Sequence, residues 1–405
     1  MAVFKVINNV YSIGVLDKDL RVFDIMMETK LGTTYNSYLI LNDGEAVIID
    51  GVKAPFTDEW LRNIESLVPF SRVKALITQH TEPDHSGSIP ALLEKNPKIK
   101  IYGSFMAMQN LKEIANFNFD ANVVKPGEEL KLTEAQTLVF HPVPNVHWPD
   151  TIITHDPMNN LAYTCDFLGM HIAPENLFLS KEKNKDLALE ALTVYYEAIM
   201  APFKGDVLRA VNVLKKLDVA MVLNSHGYIL DKREDVDSAI NKYIEWSTIP
   251  KASNLVVTIA FASAYGYTKM MVDEVVSALE ESGATVYLFE VPTTPLEVVT
   301  AAVERSDALL VASPTFVGDG IKPIYDVLNS LNPFIANGKY FSAFGSFGWS
   351  GEAVRNYLSR AKELRFKTVD EGHKERLKPT KEQLLKTKEY IKNFITVVKG
   401  ELNKA

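Results

Sequence analysis

The chain has 405 residues, 47% hydrophobic and 23% charged, with a formal net charge of −8. That length exceeds one ordinary core and predicts two domains, and the acidic balance offers no basic surplus to a nucleic-acid partner. One cysteine, Cys165, excludes a disulfide framework, a cysteine-ligated zinc site, an iron–sulfur cluster within the chain and an internal rubredoxin module. Neither a basic N-terminal head before an apolar run nor an apolar stretch of about 18 residues occurs, so no signal peptide or membrane span is expected and the cytoplasm is the expected location.

In chain order, the first 250 residues read as short strands with helices between them. Tyr38–Leu41 and Ala46–Asp50 flank the turn signal Asn42-Asp43-Gly44 and predict a hairpin. Val73–Gln79 reads as a buried strand, Ile89–Lys95 and Gly103–Ile114 as helices. Leu138–His141, Thr151–Thr154 and Ala220–Asn224 follow as strands. The pattern suggests an αββα sandwich. Ile249-Pro250-Lys251-Ala252-Ser253 marks the boundary between domains 1–250 and 251–405.

Beyond it, strands and helices alternate regularly. Strands are predicted at Leu255–Phe261, Thr285–Val291, Ala308–Ala312 and Tyr340–Gly345, with Arg365–Val369 as the last. Helices are predicted at Tyr267–Ser282, Pro295–Arg305, Lys322–Leu331, Glu352–Leu364 and Thr380–Val398. Continuous apolar strands in repeated βα units predict a doubly wound parallel sheet.

Two constellations carry chemistry. His80-Thr81-Glu82-Pro83-Asp84-His85 puts four potential metal ligands into six residues directly after the strand Val73–Gln79. Pro83 disfavours helix at the residue before it, so the four side chains are expected to splay from a loop. Two metals need more ligands and a bridge. His147, Asp166 and His226 each follow a short apolar run and are candidates to converge on one rim. A single His or Asp at a strand end is more often a cap or surface residue; the hexapeptide, short of ligands on its own, is what turns the three into candidates. His141, His155 and His373 are read as structural or surface residues. His171 is read as a support behind the site or a surface residue, with lining the pocket as the alternative, and Asp50 either accepts from a ligating imidazole or ends its strand.

The second constellation is three loops at strand ends. Ser263, Tyr265, Gly266, Tyr267 and Thr268 lie between the strand Leu255–Phe261 and a helix, where backbone N–H groups and the helix terminus suit a phosphate. The dinucleotide fingerprint G-x-G-x-x-G is missing, so a mononucleotide fits better. Pro314, Thr315, Phe316, Val317, Gly318 and Asp319 follow the third strand; Ser346, Phe347, Gly348, Trp349 and Gly351 follow the fourth. These two loops would border a flavin ring, with Phe316, Phe347 and Trp349 as stacking candidates or ordinary packing residues.

The order H-x-E-x-D-H, His, Asp, His resembles the metallo-β-lactamase-like domain of the flavodiiron proteins, and the C-terminal half resembles flavodoxin. Together they match essentially the whole chain. Hydrolases of that superfamily usually have His where Glu82 stands; a harder, anionic carboxylate favours iron over an all-nitrogen zinc arrangement. The resemblance implies one non-haem iron on His80, Glu82 and His147, a second on Asp84, His85 and His226, and Asp166 as the bridge. It implies FMN in the C-terminal domain, although Ser263 and Tyr265 depart from the commoner T-x-T-G-x-T phosphate loop while keeping its hydroxyls. It further implies reduction of dioxygen to water, nitric oxide to nitrous oxide, or both, a separate donor (rubredoxin or reduced deazaflavin coenzyme), and a head-to-tail homodimer or dimer of dimers. Some members carry a pocket His on the segment before Gly32-Thr33-Thr34-Tyr35-Asn36. Here Phe23-Asp24-Ile25-Met26-Met27-Glu28 has none, which favours dioxygen, with Met26 or Met27 shaping the pocket or filling core. The rival readings are a dizinc hydrolase with an accessory flavodoxin-like domain, and a non-enzymatic electron carrier or oxygen sensor.

Overall fold

A computed structural model describes residues 3–25, 27–250 and 252–403. The chain divides into two compact units, Met1–Thr248 and Ile249–Ala405. Met26 and Lys251 lie outside the described residues.

The first unit is an αββα sandwich. One sheet has seven strands and the other five. Period-two alternation makes each central strand two-faced. In the hairpin Tyr38–Asn42/Glu45–Ile49, Tyr38 pairs with Ile49 and Ile40 with Val47, while Leu39 pairs with Ile48 on the opposite face. Tyr38, Ile40, Val47 and Ile49 meet Leu138, Phe140, Leu161, Tyr163 and Leu223 of the other sheet in the core between the sheets. Leu39 and Ile48 instead pack with Trp60, Ile64, Leu92 and Leu111 of the helices outside. The five-stranded sheet is covered in the same way: Ile153, Ala162 and Val222 lie under Val207, Val211, Ile240 and Tyr243.

Strand direction explains the rim on which the candidate ligands collect. Glu45–Ile49 and Val73–Ile77 run parallel, as do Leu161–Cys165 and Met221–Asn224. Thr137–Pro142 and Leu161–Cys165 are each antiparallel to Ile152–Asp156 and therefore parallel to one another. The segments bearing His80, His147, Asp166 and His226 all leave the carboxyl ends of these strands. The sheets are tied there by Gln79, whose carbonyl accepts from the Ile152 N–H at 2.9 Å and whose side-chain oxygen accepts from the Thr154 N–H at 3.1 Å.

Two expectations change in the first unit. The predicted helix Gly103–Ile114 starts later, at Phe105, because Lys100–Gly103 is a strand and Ser104 caps the helix by accepting from the Ala107 N–H. The ligand hexapeptide is not all loop: Glu82 is extended, but Pro83–Ser86 forms one helical turn with Pro at its first position.

The second unit is a parallel sheet in the order Thr285–Glu290, Val256–Phe261, Ala308–Ala312, Tyr340–Phe347 and Lys367–Thr368. Arg365–Val369 is not the last strand, because His373–Arg376 also pairs in parallel with Tyr340–Phe347, beyond it along the same edge. Both sheet faces are buried: Val257, Ile259 and Phe261 under Met271, Val275, Ile391 and Phe394, and Ala260, Leu309 and Val311 under Val299, Ile324 and Tyr357. Strand order reverses between Val256–Phe261 and Ala308–Ala312, where an open α/β sheet leaves a crevice. Gly345 lets the strand Tyr340–Phe347 pass close to the end of Ala308–Ala312: a Cβ would stand 1.9 Å from the Ser313 carbonyl oxygen. Among the described residues no helix is long and apolar enough to cross a membrane.

Candidate metal centre and flavin cleft

All seven predicted ligands come together. His80 Nε2 lies 3.2 Å from Glu82 Oε2 and 3.5 Å from Asp166 Oδ2. His147 Nε2 lies 3.1 Å from Glu82 Oε2 and 3.4 Å from the same Asp166 oxygen. On the other side, His85 Nε2 is 2.9 Å from Asp166 Oδ1 and 3.4 Å from Asp84 Oδ1. His226 Nε2 is 3.1 Å from Asp84 Oδ2 and 3.3 Å from Asp166 Oδ1. Asp166 thus turns one oxygen to each group. The ligand atoms of His80, Glu82, His147 and Asp166 lie within 4.8 Å of one another, as do those of Asp84, His85 and His226.

This donor set calls for cations. The Thr34 carbonyl lies 2.6 Å from His226 Nδ1 and can only accept, so Nδ1 carries the hydrogen and a neutral ring offers Nε2 as a bare lone pair. Asp150 does the same for His80, with Oδ1 2.9 Å from Nδ1. Both lone pairs face carboxylate oxygens, and both oxygens of Asp84 are buried without a hydrogen-bond partner. Acceptors facing acceptors in a dry site are costly unless a positive charge sits between them. Burial opposes charge on each imidazole, yet Asp150 and Glu82 raise His80 well above its ordinary pKa, and the surrounding carboxylates raise His147 to about 9 and His226 to about 10. Burial also opposes charge on Asp166, but His85, His147 and His226 hold its carboxyl well below the usual range. The residues present fit a pair of metal ions.

Asp150 and the part played by Asp24 escaped sequence reasoning; Asp50, His171, Met27 and Cys165 did not. Asp150 accepts from His80 and also takes the Thr81 N–H at 2.8 Å; it sits 70 residues from His80, and no local pattern links them. Asp50 accepts from the Gln79 N–H and side-chain amide rather than from an imidazole, so it anchors the strand end. His171 supports the site: its Nδ1 is 2.8 Å from Thr33 Oγ1, which stands 3.3 Å from His226 Nδ1. Its ring packs 4.3 Å from Phe23, 4.9 Å from Tyr195 and 4.9 Å from His226. Asp24, on the segment with no pocket His, is raised to about 7 by burial and by a hydrogen bond with Glu82. Met27 packs into the core outside the larger sheet. Cys165 Sγ lies within 4.8 Å of His85 and Asp166 ligand atoms, but burial raises its thiol well above the ordinary value, which keeps it protonated.

In the second unit, a cleft of 370 Å³ gathers Tyr265, Tyr267, Pro314, Thr315, Phe316, Val317, Gly318, Ser346, Phe347, Gly348 and Trp349 from the three predicted loops. Leu377 joins them, carried in by the strand His373–Arg376. The other predicted residues are not part of the cleft lining. Ser263 Oγ accepts from the Lys269 N–H, Thr268 bonds Ser346 Oγ, and Asp319 accepts from Tyr325 and Asn356. Gly351 starts the helix Glu352–Glu363 with φ +74°. Gly266 and Gly318 have positive φ, and a Cβ on either would meet open space. An open strand-to-helix turn beside a cleft rimmed by aromatic side chains fits a phosphate-bearing flavin.

Residues 33–227 match the family profile described as ODP family beta lactamase, and residues 259–389 match that of flavodoxin. The flavo-diiron protein FprA2 of Clostridium acetobutylicum is 33% identical over 97% of this chain and 99% of its own. The type A flavoprotein fprA of Rhodobacter capsulatus is 30% identical over 93% and 87%. Among solved structures, the flavodiiron protein of Giardia intestinalis is similar with a TM-score of 0.64 and 26% identity, covering 100% of this chain and 98% of its own. Rubredoxin oxygen:oxidoreductase of Desulfovibrio gigas is similar with a TM-score of 0.65 and 26% identity, covering 99% of each.

The fold and its two sites define a metallo-β-lactamase-like domain joined to a flavodoxin-like domain. The chain belongs to the flavodiiron family and is a flavoprotein oxidoreductase.

Proposed function

We propose that the chain reduces dioxygen to water, nitric oxide to nitrous oxide, or both, with one iron on His80, Glu82 and His147, a second on Asp84, His85 and His226, and Asp166 between them. The observation that carries this reading is the division of Asp166, one oxygen toward each histidine–carboxylate group. The loops lining the cleft of the second unit would hold FMN, which would supply electron transfer to the irons. When bound, two ferrous ions and reduced FMN supply four electrons, the number that takes dioxygen to two waters with four protons; nitric oxide needs two electrons and two protons per pair.

The chain's own side chains do the positioning. Asp150 and the Thr34 carbonyl orient His80 and His226 so that Nε2 faces inward. Phe23 and Tyr195 pack on His171 and keep the His226 side apolar and dry. Asp24 is exposed to solvent and hydrogen-bonded with Glu82, where a carboxyl can pass protons inward.

Relatives support the two gases differently. The Desulfovibrio gigas protein is named for rubredoxin and oxygen, and a 29% identical relative from Aeromonas hydrophila is an anaerobic nitric oxide reductase flavorubredoxin. We take dioxygen as the preferred substrate here, a separate donor (rubredoxin or reduced deazaflavin coenzyme) as the electron source, and a head-to-tail homodimer as the working unit, bringing one protomer's FMN to its partner's irons. The deciding experiment is metal analysis followed by anaerobic reduction and stopped-flow exposure to each gas. Two irons and one FMN per chain, with reoxidation faster than that of free reduced flavin, are expected. Zinc without iron, and no oxidase turnover, would favour the hydrolase reading instead.

A further inference from the structure

The wall of the flavin cleft is held from behind by one side chain. The loop Phe347–Gly351 supplies Phe347, Gly348 and Trp349 to the cleft, and Trp349 is 88% exposed, so packing alone does not fix it. Behind the loop runs the strand His373–Arg376, in register with Phe344–Phe347, where Lys374 pairs with Gly345. Lys374 Nζ donates to the Ser350 carbonyl at 3.2 Å and the Gly351 carbonyl at 3.1 Å. The same ammonium stands 5.4 Å from the centre of the Phe347 ring. Its stem fills the space beneath Gly351, where a Cβ would come within 2.8 Å of Lys374 Cδ and 3.0 Å of Phe347 Cγ. One side chain thus ties both ends of the loop, through backbone carbonyls at one and a ring face at the other. The same segment places Leu377 in the cleft, its N–H donating to the Phe347 carbonyl at 2.9 Å.

Lys374 makes no ion pair with a carboxylate among the described residues. Its field reaches Glu352 at the start of the helix Glu352–Glu363, whose carboxyl is held below its ordinary pKa first by a hydrogen bond from Ser350 and further by Arg355 and Lys374. A cation bonded to neutral carbonyls keeps its field, and reduced flavin at neutral pH carries a negative charge that oxidised flavin lacks.

We infer that Lys374 is a positioning residue for the flavin: it holds the loop Phe347–Gly351 in its binding conformation and biases the bound cofactor toward the reduced, anionic state. The inference rests on the FMN reading above. Its test is spectroelectrochemistry and FMN titration on the full-length protein and the variants Lys374→Met and Lys374→Arg. Lys374 is exposed, so neither variant threatens the core.

Lys374→Met is expected to weaken oxidised FMN about tenfold by freeing the loop. It is expected to weaken the hydroquinone about tenfold more, which lowers the two-electron midpoint by about 30 mV. Lys374→Arg, which keeps the charge and its donors, is expected to restore most of both, and the midpoint difference between Met and Lys is expected to shrink with added salt. Equal loss of affinity for both redox states, leaving the midpoint unmoved, overturns the inference, as does a Met variant with parental affinity. A parent protein that takes up no FMN sinks the flavin reading itself and this inference with it.

Discussion

Asp150 and the Thr34 carbonyl decide which nitrogen of two histidines faces the carboxylates of the proposed metal centre, and this makes them targets separable from the candidate ligands. Asp150→Asn keeps the shape but places an amide N–H₂ against the Thr81 donors or against His80 Nδ1–H. Iron affinity, measured by competition with a chelator, is expected to fall about tenfold, the typical effect of losing such a partner. His147→Ala removes a proposed ligand outright. Iron per chain is expected to drop with oxidase activity, while the flavin absorbance stays at one FMN per chain. A variant retaining both irons would remove His147 from the centre. Of these residues, His147 could be read from the sequence because a histidine-bearing segment after a strand complements an incomplete hexapeptide. Asp150 could not, because its meeting with His80 depends on two sheets packing face to face.

Among the elements, the strand-to-helix turn at Gly266 and the edge strand His373–Arg376 matter most. Gly266 has φ +78° with open space where a side chain would be, so Gly266→Val acts through backbone strain and crowding of the phosphate turn, at a cost on the order of 1–2 kcal/mol. FMN is expected to be lost, by absorbance after desalting, with the iron content unchanged; loss of iron would mean that the modules are wrongly separated. Beside the edge strand, Asp370 accepts from Ser342 Oγ and the Gly372 N–H but leaves Oδ2 buried and unpartnered, and burial raises its pKa. A raised folded pKa favours the protonated form. That stability is fully present below the unfolded value of about 3.9 and is lost as pH rises through the folded one. Asp370→Asn is expected to gain on the parent between about pH 4 and pH 7 by roughly 1–3 °C in Tm, read by thermal melts of FMN-free protein; a constant difference across that range would count against it. Apolar runs and turn signals located the Val256–Phe261 and Ala308–Ala312 strands to within a residue. The polar strand His373–Arg376 carries no such run, because it lies on a sheet edge and pairs only through its backbone.

For the whole molecule, the two compact units set the test of the proposed dimer. If each protomer's flavin serves its partner's irons, inactive His147→Ala and Gly266→Val chains should complement when refolded together. About a quarter of the parental activity is expected from random pairing, because half of the dimers are mixed and each has one working pair. Activity no higher than either variant alone would place electron transfer within one chain. Iron analysis of the same mixtures ensures that the result reports pairing rather than misfolding.

The ligand types, their order along the chain and the two-domain plan were determined by local residue chemistry: a dense metal-binding hexapeptide, alternating apolar strands, and glycine and hydroxyl residues at strand-to-helix turns. Only the tertiary structure decided that Asp166 divides its oxygens between two groups, that Asp150 rather than Asp50 orients His80, and that Lys374 and Leu377 reach the flavin loop. Those relations join residues tens of positions apart. They follow from strand direction and sheet packing, which depend on the burial of whole faces rather than on any short stretch of chain.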